Sequence, residues 1–308
     1  MLNNRGSKNL LNKLLLFCIV FLSSHTLAYD LKEVKKSGVL RHIGVPYANF
    51  VIQYPQDEKI VQDGLDVELM RGFAKYLGVE YQFVEASWGN LIGKINGQNA
   101  SYVNQSIQLG TKVPIQGDVI SNGYTILDWR SQLLDFSDVY FPSAVWLVAR
   151  TDSTLQPIKS SGSVITDIQA VKSKLSGRTV LAMKQSCLDP DLYNMSQTEA
   201  KIILPVKARK LNEMVPAIIN HDAESTLLDV PDTLIALQKW SDEIKVIGPI
   251  SEEQRMAVAF RKNSPELRTA FNTYLEIKIG DGSYLKLVKK YYPDVFYFYP
   301  KFFMELEY

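Results

Sequence analysis

Histidine and cysteine, two residue types that often carry catalysis or hold metals, are scarce in this sequence, and only one short stretch has the spacing of a catalytic motif. His42 and His221 lie far apart in the chain, without the spacing of metal ligands. The sequence contains no glycine-rich phosphate loop, no HExxH zinc motif and no GxSxG nucleophile elbow. Residues 283–286 (SYLK) match S-x-x-K, but they begin an amphipathic stretch, where a Ser or Asp side chain caps the free N–H groups of a helix. We therefore expect neither an enzyme nor a resident metal or cofactor.

One acidic residue lies where ligands collect in proteins that alternate strands and helices. Asp229 belongs to the run 226–230 (TLLDV), which is predicted to be a strand, and it lies at the carboxyl end of that strand. Pro231 follows, and proline is favoured at the first position of a helix because its missing N–H costs nothing there. Asp229 is therefore a candidate ligand-binding residue. The alternative is that it caps the helix, and one aspartate can do both.

The elements around these residues alternate between helix and strand. A short helix over residues 29–38 ends at a glycine, and residues 39–45 (VLRHIGV) form a predicted strand. Apolar residues at helical spacing predict a helix over residues 66–77, followed by a strand over residues 79–84. Strand, helix and strand in this order indicate a right-handed βαβ unit with parallel strands.

The same alternation returns in the second half of the chain. Strands are predicted at residues 179–183, 201–206, 226–230 and 244–247, with a helix over residues 211–220. Two α/β units, each with its own sheet, fit a chain of 308 residues. The polar segment 97–118 is expected to be a long loop beside the first unit.

The amino terminus has the layout of a secretory signal peptide. Basic residues precede the apolar run 14–22, and Thr26-Leu27-Ala28 supplies a small-residue end. A membrane anchor, the alternative, needs about 20 apolar residues, and this run is shorter. We predict that residues 1–28 are removed and that the mature chain is periplasmic. Cys187 is then the only cysteine left, so no intramolecular disulfide can form.

The charge balance says little about partners but argues against one class. The formal net charge is +1, whereas a nucleic-acid-binding protein usually shows a basic excess. We expect no nucleic acid partner, and a monomer.

Five ordered segments carry a resemblance to a known family. They are residues 38–50, residues 64–69, residues 87–92, residues 123–143 (GYTILDWR running on to DFSDVYFPS), and residues 257–267 together with 281–292. In this order, and over nearly all of residues 30–295, they resemble the polar amino-acid family of periplasmic solute-binding proteins that feed ABC transporters.

The resemblance implies an α/β fold of two lobes, the Venus flytrap, joined by two crossover hinge strands near residues 142–145 and 255–259. Lobe 1 would comprise residues 29–142 plus 260–308, and lobe 2 residues 143–259. The solute would lie between the lobes and be buried when the hinge closes.

The family's polar ligand contacts map onto five residues here. Arg130 would hold a ligand α-carboxylate, since a guanidinium fork fits a carboxylate, and Asp229 would pair with an α-ammonium. Thr125 would donate beside the carboxylate, and Gly123 would let the backbone approach closely. Ser186 would add a donor from lobe 2. The alternative for Arg130 is an ordinary surface arginine.

The resemblance also implies an apolar wall for the ligand side chain. Tyr47 and Phe50 would form it, and Trp88 would extend it. Packing in the core is the alternative for Phe50 and for Trp88.

Three departures from the family pattern bear on the ligand rather than on the fold. Residues 185–187 (QSC) replace a usual Gly-Thr-Thr, and Trp129 stands in a place where the family has a smaller residue. The inserted segment 97–118 could cover the cleft or dock a partner.

The function implied is capture of an amino acid or related zwitterion for an ABC transporter. A sensory module read by a membrane receptor and a dehydratase-like enzyme on the same scaffold are the alternatives. The aromatic tail 291–308 would either pack against lobe 1 or serve docking.

Overall fold

The computed structural model describes residues 30–205 and 210–306, so the predicted signal peptide lies outside the described residues. The α-helices of the described ranges are α1 Leu31–Ser37, α2 Leu65–Leu77, α3 Leu91–Asn96, α4 Asp128–Ser131, α5 Val164–Lys172, α6 Met214–Ile219, α7 Val230–Lys239, α8 Pro265–Gly280, α9 Ser283–Tyr291, α10 Val295–Phe298 and α11 Pro300–Leu306. The strands are β1 Val39–Gly44, β2 Ile52–Gln56, β3 Lys59–Asp63, β4 Glu80–Glu85, β5 Gln98–Val103, β6 Ser106–Lys112, β7 Val119–Ile120, β8 Leu134–Phe136, β9 Phe141–Ser143, β10 Val145–Arg150, β11 Thr179–Leu181, β12 Lys201–Ile203, β13 Ser225–Asp229, β14 Ile244–Pro249, β15 Gln254–Met256 and β16 Ala259–Arg261. Across these ranges no helix is long and apolar enough to cross a membrane.

The first five-stranded sheet has the order β4-β1-β7-β16-β8. Strand β1 is parallel to β4 and to β7, with Val39 opposite Glu80. Helix α2 lies between β1 and β4 in the chain, buries the side chains of Met70 and Phe73, and ends at Gly78 in the left-handed conformation. The predicted βαβ unit is confirmed.

The second five-stranded sheet has the order β12-β11-β13-β10-β14. Strand β11 is parallel to β12 and to β13, whereas β10 runs antiparallel to β13 and to β14. The protein therefore has two separate α/β sheets, as the alternation in the sequence predicts, although β16, from the second half of the chain, belongs to the first sheet.

Two short strands connect the sheets. The chain leaves the first sheet through β9 and enters the second at β10, and it returns through β15 to β16. Strands β9 and β15 pair antiparallel, with Pro142 opposite Arg255. This is a two-lobed fold with paired crossover strands. The residue boundaries of the lobes, 142/143 and 259/260, remain our prediction.

The expectation of a long loop over residues 97–118 was wrong, because β5 and β6 form an antiparallel hairpin there. Its tight turn is made by Asn104 and Gln105, both at positive φ, which is the conformation of a type I′ turn. Such turns usually carry glycine, and neither position has one. Most side chains of β6 are exposed, so the strand lacks the alternation of apolar and polar residues that marks a strand in a sequence.

The aromatic tail packs against the body of the protein. The Phe303 ring lies 6.3 Å from that of Phe141 in β9, and the Phe298 ring lies 5.8 Å from that of Trp146 in β10. Tyr297, by contrast, is 83% exposed. The tail therefore contacts the crossover strand and the second sheet, and not only lobe 1.

Candidate functional site

Arg130 is a buried cation. It lies in the four-residue helix α4, and only 1% of its surface is exposed. Its Nη1 donates to the Thr125 carbonyl oxygen at 3.0 Å. Its guanidinium carbon lies 4.1 Å from the ring centre of Tyr124 and 5.5 Å from that of Trp129, a cation–π arrangement on two aromatic faces. In the described part of the chain no carboxylate forms an ion pair with it, and its Nε lacks a hydrogen-bond partner.

Asp229 is a buried acid at the carboxyl end of β13, and α7 begins at the next residue. Its Oδ1 accepts the backbone N–H of Asp232 at 3.2 Å, so the predicted capping alternative is present in the structure. Its Oδ2 lies 3.8 Å from the Cys187 sulfur. Burial, and then the neighbouring Asp232, raises the pKa of Asp229 well above its usual range. One carboxyl oxygen thus caps the helix, and the other faces Cys187.

The Cys187 thiol contacts Asp229 and is within the electrostatic influence of Arg130. The thiol is 1% exposed, and burial raises its pKa to about 11, although the positive charge of Arg130 and the Thr125 side chain act in the opposite direction. A thiol with so high a pKa is a poor nucleophile at neutral pH. Because it contacts Asp229 and is influenced by Arg130, the structure brings Thr125, Arg130, Cys187 and Asp229 together. We call these four residues the buried polar cluster.

Gly123 has a positive φ of 58° and leaves no room for a side chain. A Cβ at this position would lie 2.5 Å from the Phe50 ring. Its N–H donates to Asp66 Oδ2 at 2.6 Å and is therefore already engaged within the first unit. Phe50 has no exposed surface and also packs on Tyr292, with ring centres 4.9 Å apart. The structure places Phe50 in the core, and Gly123 lies in the chain two residues before Thr125 of the cluster.

Tyr47 and Trp88 present polar ring atoms that have no partner. The Tyr47 ring stacks on Phe50 at 5.7 Å, and the edge of Trp88 meets Tyr47 at 5.6 Å. Among the described residues, neither Tyr47 Oη nor Trp88 Nε1 finds a hydrogen-bond partner, although both are buried. Ser186 differs, because its Oγ donates to the Met183 carbonyl and accepts from the Leu188 N–H.

The two α/β units contact each other next to Tyr47, Trp88 and Ser186. Asn212 Oδ1, from the second unit, accepts the N–H of Ala48 in the first at 2.8 Å. A cavity of ≈ 660 Å³ lies between the units, with Trp88 and Gly89 on one side and Lys184 and Gln185 on the other. A cavity at the meeting of two lobes is a usual position for a small-molecule site, and Trp88 is the predicted site residue that lines this one, whereas the four residues of the buried polar cluster do not.

The sequence matches a family model over residues 115–294, that of the bacterial extracellular solute-binding proteins, family 3. This match covers more than half of the chain. The chain belongs to this family.

Named relatives of this family-3 protein include both binding proteins and a larger enzyme. It is 25% identical over 260 residues to the arginine-binding extracellular protein ArtP of Bacillus subtilis. The matched region covers 84% of this chain and 88% of ArtP. It is also 25% identical over 235 residues to the membrane-bound lytic murein transglycosylase F of Desulfosudis oleivorans. That match covers 75% of this chain but only 44% of the transglycosylase, so this family-3 protein spans less than half of that relative.

Solved structures show the same fold. A mutant of the arginine-binding protein ArgBP from T. maritima superimposes with a TM-score of 0.66 at 23% identity, covering 85% of this chain and 99% of ArgBP. The ancestral amino acid-binding protein AncCDT-1, described as a precursor of cyclohexadienyl dehydratase, gives a TM-score of 0.64 at 22% identity, with 85% and 99% covered.

Several unpartnered polar atoms of this family-3 protein lie at residues that sequence reasoning missed. Both side-chain polar atoms of Asn122 are buried without partners within the described ranges, as is Gln254 Oε1 in β15. Asn122 immediately precedes Gly123, and a polar residue beside the matched segment 123–130 was the available signal. The described residues contain no group of three or more His, Cys, Asp and Glu side chains that could hold a metal ion.

Proposed function

We propose that this family-3 solute-binding protein captures an amino acid or a related zwitterion between its lobes and delivers it to an ABC transporter in the bacterial envelope. The mature chain would act in the periplasm, after removal of residues 1–28. The family, described as extracellular solute-binding proteins, and the relative ArtP, named as an arginine-binding extracellular protein, support capture of an amino acid outside the cytoplasm.

The observation that carries the proposal is the arrangement of opposite charges in the buried polar cluster. Arg130 and Asp229 are each 1% exposed, and no ion pair to either occurs within the described ranges. A buried charge needs a partner because desolvation costs several kcal/mol, and a buried acid without a cation keeps its proton instead, as the raised pKa of Asp229 indicates. A zwitterion supplies a carboxylate for Arg130 and an ammonium for Asp229 in one molecule.

Polar groups around the cluster fit the same occupant. Thr125 Oγ1 and Arg130 Nε are both buried and lack partners among the described residues. Both can donate to a carboxylate, and closure of the lobes would remove the ligand and these groups from water together. Tyr47 and Trp88 would line the wall for the ligand side chain, and their ring polar atoms are buried without a hydrogen-bond partner among the described residues.

Binding, rather than catalysis, is the role we propose. Cys187 is protonated at neutral pH because of its raised pKa, and the relatives named as binding proteins match most of this chain. The likeness to the transglycosylase and to AncCDT-1 makes turnover the alternative. Mass spectrometry of each candidate solute after incubation with the protein decides between the two, since any product would overturn the binding role.

A thermal-shift screen of residues 29–308 against amino acids, polyamines and small carboxylates tests the proposal. A ligand present at about 100 times its Kd should add about 2.7 kcal/mol to the free energy of unfolding. We expect Arg130→Gln to abolish the shift, because Gln cannot form the charged fork. Arg268→Gln removes an arginine on the surface helix α8 and serves as the matched control.

Circular dichroism must show that Arg130→Gln is folded. A shift that survives Arg130→Gln unchanged would show that this residue does not hold the ligand.

A further inference from the structure

A C-terminal extension follows the part of the chain that matches the family. The family model ends at residue 294, whereas α10 and α11 carry the described chain on to Leu306. This extension, residues 295–306, is packed into the protein, since Val295 has no exposed surface and Phe303 is 4% exposed. The extension is therefore an addition to the family pattern that the rest of the fold accommodates.

The residues just before the extension are fixed to the first α/β unit. The Tyr292 hydroxyl accepts the Asn49 N–H at 2.8 Å, and Asn49 Nδ2 donates to the Tyr291 carbonyl oxygen at 2.9 Å. The Tyr292 ring is 1% exposed and packs on Phe50. Asn49 and Phe50 lie between β1 and β2, so the first unit anchors the start of the extension.

The next contacts along the chain lie on the second unit and on the crossover between the units. Gln238 Nε2, in α7, donates to Asp294 Oδ2 at 2.7 Å, immediately before the extension. The Phe298 ring meets Trp146 of β10 edge-on, with ring centres 5.8 Å apart. Phe303 packs on the crossover strand β9. Within about fifteen residues the chain thus contacts both units and the strand that joins them.

Movement of the two units against each other cannot preserve all of these contacts. The extension continues from α9 and is fixed at Tyr292, so rotation of the second unit about the crossover strands would separate it from Trp146 and Gln238. Contacts that form only when the units are together favour that arrangement over an open one. We propose that the C-terminal extension is a strap across the two units and resists their opening.

The strap is distinct from the ordinary packing of a terminal helix. An extension that only completed the core of the first unit would need neither the bond to Gln238 nor the ring contact with Trp146. Gln238 also lies in the last turn of α7, the helix that begins directly after Asp229 of the buried polar cluster. The strap therefore holds an element of the candidate site, and its effect on opening does not depend on which solute is bound.

Distances between two spin labels test the strap in the absence of any solute. The protein is residues 29–308, freed of co-purified solute by unfolding and refolding. The labels are attached through Lys75→Cys in α2 and Lys174→Cys in the second unit, both at exposed positions, while Cys187 is buried and is left in place. We expect the double variant Gln238→Ala, Phe298→Ala to raise the ratio of open to closed molecules at least about fivefold, because it loses one hydrogen bond and one aromatic pair.

Tyr297→Ala is the matched control, since it removes a ring that is 83% exposed from the same helix α10. If circular dichroism shows that the double variant does not fold, Gln238→Ala alone replaces it, because this side chain lies at the surface, and the expected rise is then at least about twofold. A distance distribution equal to that of the labelled wild type, or an equal change in Tyr297→Ala, overturns the strap. Either of these results leaves the proposed capture of a solute untouched.

Discussion

At the scale of single residues, the site is built around one positive charge, that of Arg130, which the fold buries without neutralising. Arg130 is held by two aromatic faces and one carbonyl oxygen, and none of these contacts cancels its charge. Such an arrangement lowers stability, because an unpaired buried ion has lost its water. Residues that cost stability in this way are characteristic of binding sites, where a ligand provides the missing partner.

Asp66 offers a residue-scale test that depends on pH. Its Oδ2 accepts from the Gly123 N–H and from the Tyr140 hydroxyl at 2.8 Å, and burial raises its pKa from 3.8 to about 7. In the unfolded chain the carboxyl releases its proton near pH 3.8. Between these two values the folded state holds a proton that the unfolded state has lost, so this group makes the folded state less stable as pH rises.

We expect Asp66→Asn to remove that contribution, since an amide oxygen can accept the same bonds without titrating. The free energy of unfolding of the variant minus that of the wild type should increase as pH rises from about 4 to about 7, by on the order of 1.4 kcal/mol for each pH unit. Urea denaturation at several pH values measures the difference. A difference that stays constant with pH would contradict the raised pKa.

At the scale of elements, the hairpin β5–β6 supports the site instead of covering it. The Tyr102 ring of β5 stacks on Trp129 at 5.9 Å and nearly parallel, and Trp129 in turn lies against the Arg130 guanidinium. The bulky Trp129, which departs from the family pattern, therefore has a structural partner in the inserted hairpin. Trp129 and the inserted hairpin, both departures from the family pattern, are therefore packed together.

We therefore expect the hairpin β5–β6 to affect the affinity of the protein for its solute. Tyr102→Ala should leave the fold intact and raise the Kd of the best-binding solute about five- to tenfold, because Trp129 loses the ring that fixes its position. Tyr54→Ala, which removes a 41% exposed ring from the hairpin β2–β3, should leave the Kd unchanged. Titration calorimetry gives both values, and equal effects of the two substitutions would show that the hairpin has no specific role at the site.

At the scale of the whole molecule, two α/β units are joined by β9 and β15 and also by direct contacts at the cleft. The Ala48 N–H to Asn212 Oδ1 bond is one of these contacts, and Ala48 has a positive φ of 44° there. A hydrogen bond of this kind contributes about 0.5–1.5 kcal/mol. It acts only when the units are together, and so it favours the closed arrangement.

Asn212→Ala should therefore weaken ligand binding about three- to tenfold and increase the radius of gyration of the ligand-free protein in small-angle X-ray scattering. Asn272→Ala is the matched control, because Asn272 accepts the Asp138 N–H at 3.0 Å within a single unit. If both variants bind and scatter alike, the bond to Ala48 does not control closure.

Local patterns in the sequence were sufficient for the framework of the fold. The spacing of apolar residues and the glycine at position 78 predicted α2, and short strand-like runs predicted β1 and β4 of the first sheet and β11 to β14 of the second. These signals are reliable because burial imposes the same period on every helix or strand that packs against a core. The hairpins β2–β3 and β5–β6 were missed, since both are largely exposed and their turns contain no glycine.

The contents of the site were decided by tertiary structure. The order of residues in the chain indicated Arg130 and Asp229. Three further features depend on how the chain folds in three dimensions: the contact of Cys187 with Asp229, the burial of Asp232 and the packing of Phe50 on Gly123. Sequence neighbours determine local backbone preferences, whereas unpaired charge and pKa depend on which groups the fold removes from water. The sequence by itself thus determined the two units and the positions of a basic and an acidic residue, and only the assembled structure determined that both side chains are buried without an ion pair among the described residues.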